Sequence, residues 1–178
     1  MADQKISQLP ALTSAADIDV IPIVDVAGNA TKKIEVQNLI PTTNTFENGG
    51  LSSSGQYGVG SDLLVFNTQS VTAGSCYSAS SGGWVLTNAS SLSVSNTGLL
   101  GVAPSTGQAA DGMIIRGFVY LTVDPGGAIG DIVYLSTTPG QLTTTPVASP
   151  NNVSRVVGYK VSPNIVFFDP SKDWIEIS

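Results

Sequence analysis

The chain has 178 residues, enough for one medium domain with an appendage or for two small domains. Only 11% of the residues are charged and the net charge is −6, so the clustered Lys and Arg that nucleic-acid or anionic-membrane binding requires are missing. One cysteine and no histidine exclude an intrachain disulfide, a Cys–His catalytic pair and a Cys/His zinc site.

The first 41 residues predict an attachment arm that contains a β-hairpin. We expect a strand from Val20 to Val26, a turn at Gly28-Asn29 and a second strand from Thr31 to Val36, with Pro41 ending the segment. The N-terminus has no charged-then-apolar signal pattern, and no apolar run reaches the ~18 residues of a membrane span, so synthesis in the cytoplasm is expected. Apolar residues on so short a segment need an external surface to contact, and the interface candidates of the arm are Ile6, Leu9, Leu12, Ile21, Ile23, Ile34 and Val36.

Residues 42–60 read "TTNTFENGGLSSSGQYGVG" and have the composition of a linker. Two isolated aromatic residues, Phe46 and Tyr57, interrupt the small polar residues. We expect these two side chains to contact a neighbouring surface.

Residues 61–178 predict a small antiparallel β-barrel or β-sandwich, so that the whole chain belongs to the all-β class. Short β-branched and aromatic runs alternate with turn signals, and no window has the period of a helix. The 19 glycines and 10 prolines of the chain fit tight turns between such strands. In "GDIVYLS", Ile132 and Tyr134 share one face and Val133 and Leu135 the other, which predicts cover on both faces, from the core and from another subunit.

No set of residues in the sequence predicts catalysis, a cofactor or a bound metal. Each candidate acid lies beside Gly, Pro or a turn, which favours a side chain that caps its own turn; these acids are Asp111, Asp124, Asp131, Asp169 and Asp173. The loop "DPGGAIGD" lacks the alternating ligands and final Glu of an EF-hand. Cys76 is expected to be a small apolar residue within a strand.

The last twelve residues, "FFDPSKDWIEIS", concentrate apolar side chains. Trp174 could cap the core of the domain or anchor a subunit contact, and the sequence leaves both alternatives open. Trp174 and Ile175 are therefore interface candidates.

Two segments carry a resemblance to known families. Lys5-Ile6-Ser7, Ile21–Asp25 and Thr31–Leu39 fall where many tailed-phage virion proteins, often tail fibres, have Lys-Ile-Ser, Leu-Pro-Ile/Val-Val-Asp and Thr-Lys-Lys-Ile-x-Val-x-x-Leu. The later order "GLLGVA", "GMIIRGFVYLT", "GDIVYLSTTPGQLTTTP" and "RVVGYKV" resembles the β-barrel of phage capsid decoration, or cement, proteins.

The resemblance implies a non-enzymatic virion structural protein, assembled in the host cytoplasm, that binds the major capsid protein and copies of itself as a homotrimer. A short tail-fibre or tail-adaptor subunit, bound to tail or baseplate proteins, is the alternative within the same class. A receptor- or glycan-binding module is the alternative from another class, with Trp84, Tyr57 and Tyr77 as the aromatic residues for sugar stacking. An enzyme would have to rely on acids such as Asp111 or Asp131.

Overall fold

The computed structural model describes residues 20–25, 30–35, 47, 49–90, 92–104, 107 and 109–178. The chain divides into two compact units, Met1–Asn44 and Thr45–Ser178. The predicted all-β class is confirmed, since 37% of the residues are in strands and 4% in helices. No helix within the described ranges is long and apolar enough to span a membrane.

The smaller unit contains one antiparallel hairpin. Strand β1 (Val20–Asp25) pairs with β2 (Ala30–Glu35). The first strand begins at the predicted residue, and the second begins one residue before the predicted Thr31. Ile21 lies opposite Ile34, whereas Ile23 lies opposite Lys32.

The larger unit is an antiparallel half-barrel of short strands. Its strands are β3 (Asp62–Leu64), β4 (Cys76–Ser80), β5 (Gly83–Leu86), β6 (Leu100–Val102), β7 (Met113–Tyr120), β8 (Ile132–Leu135), β9 (Leu142–Thr143), β10 (Val153–Ser154), β11 (Val156–Lys160), β12 (Ile165–Phe168) and β13 (Ile175–Glu176). The helical elements within the described residues are α1 (Val94–Thr97) and one 3-10 turn (Ala109–Asp111).

The main sheet has the strand order β5-β4-β6-β7-β12-β11-β8-β9, and β3 adds to β7 outside this path. The two ends of this order meet at the Pro139-Gly140 turn. The amide of Cys76 donates to the Gly140 carbonyl (2.8 Å), and the amide of Gly140 donates to the Thr87 carbonyl (2.9 Å). The turn between β8 and β9 therefore joins β9 to the β4–β5 hairpin.

Part of the segment predicted as linker is paired with β7. The amide of Gly58 donates to the Phe118 carbonyl, and the amide of Tyr120 donates to the Gln56 carbonyl. The amide of Glu47 donates to Val59 within the same segment. These bonds begin before Ser61, where the composition of the sequence placed the start of the domain.

The core lies on the concave side of the half-barrel. Its larger cluster combines aliphatic residues of β6, β7, β8, β11 and β12 with Phe168, all of them excluded from solvent. A second cluster packs Tyr77, Trp84 and Met113 together near β4 and β5. The C-terminal β13 pairs only with β10 and forms a separate two-stranded sheet.

Candidate assembly surface

A row of four apolar side chains crosses the convex face of the sheet. Phe118 lies opposite Phe167, Phe167 opposite Tyr159, and Tyr159 opposite Ile132, on β7, β12, β11 and β8. Residues paired across antiparallel strands project from the same face. The rings of Phe118 and Phe167 meet edge to face with centroids 5.2 Å apart. We call these four residues the outer row.

The outer row is uncovered at the end formed by Tyr159 and Ile132. Tyr159 is 51% exposed and Ile132 is 40% exposed, while Phe118 and Phe167 are half-buried. Residues next to them in the chain, such as Val119 and Val133, are fully buried on the other face. The sheet is thus apolar on both faces, as predicted for "GDIVYLS".

A β-bulge in β11 shifts its pairing with β8 by one residue, and this shift decides which side chains of β11 lie on each face. The pairing with β8 shifts between Val156 and Gly158, so that Val157 is an extra residue in the core. Gly158 has φ +150°, and a Cβ there would lie 2.0 Å from the Phe167 carbonyl oxygen. Only glycine fits this close approach of β11 to β12, and the bulge places Tyr159 beside Ile132.

The apolar surface continues from the outer row toward the C-terminal strand. Tyr134 shares the face of Ile132 by alternation, and Val156 lies opposite it. Trp174 and Ile175 line a hollow of about 390 Å³ together with these two residues. Ile175 is 67% exposed and Trp174 is also exposed.

Three of the interface residues predicted from sequence can be placed with their side chains. Trp174 and Ile175 lie beside the outer row, and Tyr57, also exposed, forms an isolated bridge with Val119. Ile21, Ile23 and Ile34 are placed only by the register of the hairpin. The remaining candidates, Ile6, Leu9, Leu12, Val36 and Phe46, lie outside the described residues.

The sequence did not single out Phe118, Phe167 and Tyr159 as interface residues. Alternation along each strand indicates which residues share a face, but only the register aligns four strands into one row. The signal that was available is local: "GFVYL" carries two aromatic residues on one face of its strand, and "IVFF" carries one on each face.

The acids behave as turn residues at two of the predicted positions. Asp124 accepts a hydrogen bond from the Gly126 amide (2.8 Å), and Asp131 accepts one from the Ala128 amide (2.7 Å). The ammonium of Lys160 lies in the same loop and donates to Asp124 Oδ1 at 2.7 Å, which lowers the pKa of Asp124. Among the described residues, no three acids, cysteines or histidines group as metal ligands.

Two of the three aromatic residues considered for sugar stacking are in the core. Trp84 is buried and donates from Nε1 to the Phe66 carbonyl (2.8 Å), and the buried Tyr77 hydroxyl accepts from the Thr72 amide. Neither ring presents a face to solvent. Cys76 is also fully buried, as expected, and burial raises the pKa of its thiol to about 12, so the thiol is neutral.

Comparisons of the chain with models of protein families, with curated proteins and with solved structures give no match.

Proposed function

We propose that this chain is a non-enzymatic structural protein of a tailed-phage virion that decorates the head and stabilises the shell. The observation that carries the proposal is the outer row, an apolar face that the fold of one chain leaves uncovered. The motif order that resembles capsid decoration proteins runs through three of the four strands that build this row, β7, β8 and β11.

An uncovered apolar face supports a role in assembly for a physical reason. Burial of apolar surface stabilises by about 25 cal/mol per Å², and soluble monomers rarely keep a large contiguous apolar patch exposed. The outer row, continued by Tyr134, Trp174 and Ile175, has the aromatic composition of a subunit contact. In this proposal the face is buried between copies of the chain, which associate as a homotrimer.

The proposal assigns attachment to the N-terminal 41 residues. Within the described residues of the arm, β1 and β2 pair with each other in a two-stranded sheet, and the outer edge of such a strand suits strand addition to the major capsid protein. Because a shell repeats the same contact many times, modest contacts at each copy give strong overall binding.

Locating the chain on the particle tests this function. We expect electron cryo-microscopy of the virion to place it on the head, at a copy number in the hundreds, and virions without it to lose shell stability on heating. A position on the tail with a few tens of copies or fewer would instead support the tail-fibre or tail-adaptor alternative. Normal shell stability in its absence, with the protein located elsewhere, would reject the decoration role.

A matched pair of variants connects the outer row to incorporation. Tyr159→Ser combined with Ile132→Ser removes the exposed half of the row, and Val65→Ser removes an apolar residue that is 70% exposed and lies outside the row. We expect the double variant to be lost from purified particles and the Val65→Ser variant to be incorporated normally. Equal incorporation of both would show that the outer row is not the contact.

A further inference from the structure

The larger unit buries two cationic side chains, and they have different partners. The ammonium of Lys160 contacts the Asp124 carboxylate and two backbone carbonyls. Arg155, 5% exposed, donates from Nε to the Ser171 carbonyl and from Nη1 to those of Asn96 and Gly98, at 2.6–3.0 Å. No carboxylate of a described residue forms an ion pair with Arg155. Within the part of the chain that the structure describes, the hydrogen-bond partners of Arg155 are therefore carbonyl dipoles and no carboxylate.

Arg155 lines an open groove of about 430 Å³ on the surface of the half-barrel. The groove has apolar walls that include Leu99, which is exposed, together with Ile115 and Pro170. Lys172 lies on the same lining and is exposed. A ligand in this groove would meet both a buried and an exposed cation beside apolar side chains.

The charge of the groove differs from that of the rest of the unit. Residues 45–178 contain four basic and eight acidic residues. Three of the four basic residues, Arg116, Arg155 and Lys172, line the groove, but only two of the eight acids do, Asp62 and Asp169. The groove is thus a positive site on an acidic unit, which favours an anionic ligand.

We propose that this groove binds an acidic, partly apolar peptide segment of a partner protein, with a carboxylate placed between Arg155 and Lys172 and an apolar side chain against Leu99. A carboxylate would supply the counter-ion that Arg155 lacks, and charge-assisted hydrogen bonds to a guanidinium are strong where water is excluded. This inference goes beyond the proposed function, because peptide binding in the groove does not depend on whether the chain is part of a phage head.

A nucleic acid fits the groove less well than a peptide. A phosphodiester chain carries a charge at every nucleotide, and it would meet Asp62 and Asp169 in the same groove and a net negative unit around it. A peptide can combine carboxylates with apolar side chains and so match a groove lined by both cations and apolar residues.

The binding test uses the full-length protein and a short fluorescein-labelled peptide of alternating Asp and Leu. A matched peptide with Asn at every Asp position is the control, and fluorescence anisotropy gives both affinities. We expect the Asp peptide to bind about fivefold or more tightly than the Asn peptide, and to weaken as salt rises from about 0.05 to about 0.5 M. Equal affinity of the two peptides, or no binding of the Asp peptide, would overturn the proposal.

Variants at the rim locate the site without disturbing the buried arginine. Lys172→Gln and Leu99→Ser change exposed side chains of the groove, so they should fold normally and each weaken the Asp peptide about threefold or more. Val65→Ser is the control and should leave the affinity unchanged. An unchanged affinity in both groove variants would assign binding to another surface and overturn the proposal.

Nuclear magnetic resonance of the unmodified protein checks the central contact. Addition of the Asp peptide should shift the Nε–H resonance of Arg155 and the methyl resonances of Leu99 and Ile115. Competition by single-stranded oligothymidine for the same resonances would assign the groove to nucleic acid instead. Shifts confined to the outer row would assign the peptide to the assembly surface; either result overturns the proposal.

Discussion

Both faces of the strands β7, β12, β11 and β8 carry apolar residues, but the two faces differ in how far these residues are covered. On the concave face Val119, Val133 and Phe168 are fully excluded from solvent. On the convex face, Tyr159 and Ile132 keep 51% and 40% of their surface. An antiparallel sheet with one solvated face normally alternates apolar with polar residues. The difference separates the face that forms the core from the face that we propose for assembly.

The largest difference in stability is expected between alanine variants of two neighbouring phenylalanines, one on each face. Phe168→Ala removes a fully buried ring and should lower the free energy of unfolding by about 3–5 kcal/mol. Phe167→Ala removes a half-buried ring that packs edge to face with Phe118, and should cost about 1–2 kcal/mol. Urea denaturation followed by tryptophan fluorescence measures both. Equal losses would mean that the convex face contributes to folding as much as the core does.

The next largest effect tests the β-bulge in β11, which determines which of its side chains lie on each face of the sheet. Gly158→Ala places a Cβ 2.0 Å from the Phe167 carbonyl oxygen at a φ of +150°. Because backbone must move to accommodate it, we expect a loss of about 3 kcal/mol and a change in the packing of Tyr159 on Ile132. Gly82→Ala is the control, since no atom lies within 4 Å of a Cβ at that position. Thermal unfolding of both variants by circular dichroism provides the measurement, and similar melting temperatures would contradict the role of the bulge.

The sequence predicted the strands of the larger unit well because their signals are local. Each β-branched or aromatic run bounded by Gly, Pro or Asn contains one strand of the structure, from Asp62–Leu64 to Ile175–Glu176. The short β10 was missed, since "NNVS" has too few β-forming residues to stand out from the turn before it. Pro139-Gly140 carries the local sequence signal of a turn, but its bonds to Cys76 and Thr87 depend on residues far away in the chain.

The candidate surfaces were less predictable because they arise from register and from long-range contacts. Trp174 and Ile175 stood out by their composition alone, and they lie beside the outer row. Tyr159 is aligned with Ile132 only through the bulge in β11, which shifts the pairing with β8 by one residue, and with Phe167 through the register of β11 and β12. The contacts of Arg155 join residues 16 to 59 positions away, and no spacing in the sequence indicates them.

A smaller effect concerns the one cation on the concave face of β11. Lys160 lies opposite Val166 and is held by Asp124, whose pKa is lowered from 3.8 mainly by the hydrogen bond from Lys160. A lowered folded-state pKa adds stability above the unfolded value, and this stability disappears as the pH falls through the folded value. Asp124→Asn should therefore cost about 1 kcal/mol near pH 7 and less at acidic pH, where the carboxylate of the folded protein becomes protonated.

Urea denaturation of the wild type and of Asp124→Asn at the two pH values measures this convergence. Asp131→Asn is a useful comparison, because Asp131 accepts a hydrogen bond from the Ala128 amide in the same loop but has no lysine partner within the described residues. A difference in unfolding free energy between wild type and Asp124→Asn that stays constant with pH would show that the charge of Asp124 does not contribute to stability through Lys160.

The smallest effect on stability is expected for the two most exposed residues of the outer row on the convex face. Tyr159→Ser combined with Ile132→Ser should change the free energy of unfolding of the monomer by only about 0.5–1 kcal/mol, since both side chains are largely exposed before association. The same variant should abolish self-association in sedimentation equilibrium, because these residues form the uncovered half of the outer row. Chemical denaturation at low protein concentration measures the free energy of unfolding of the monomer alone, without a contribution from self-association. A monomer destabilised as much as by Phe168→Ala would place the two side chains in the folding core and remove the division between the two faces.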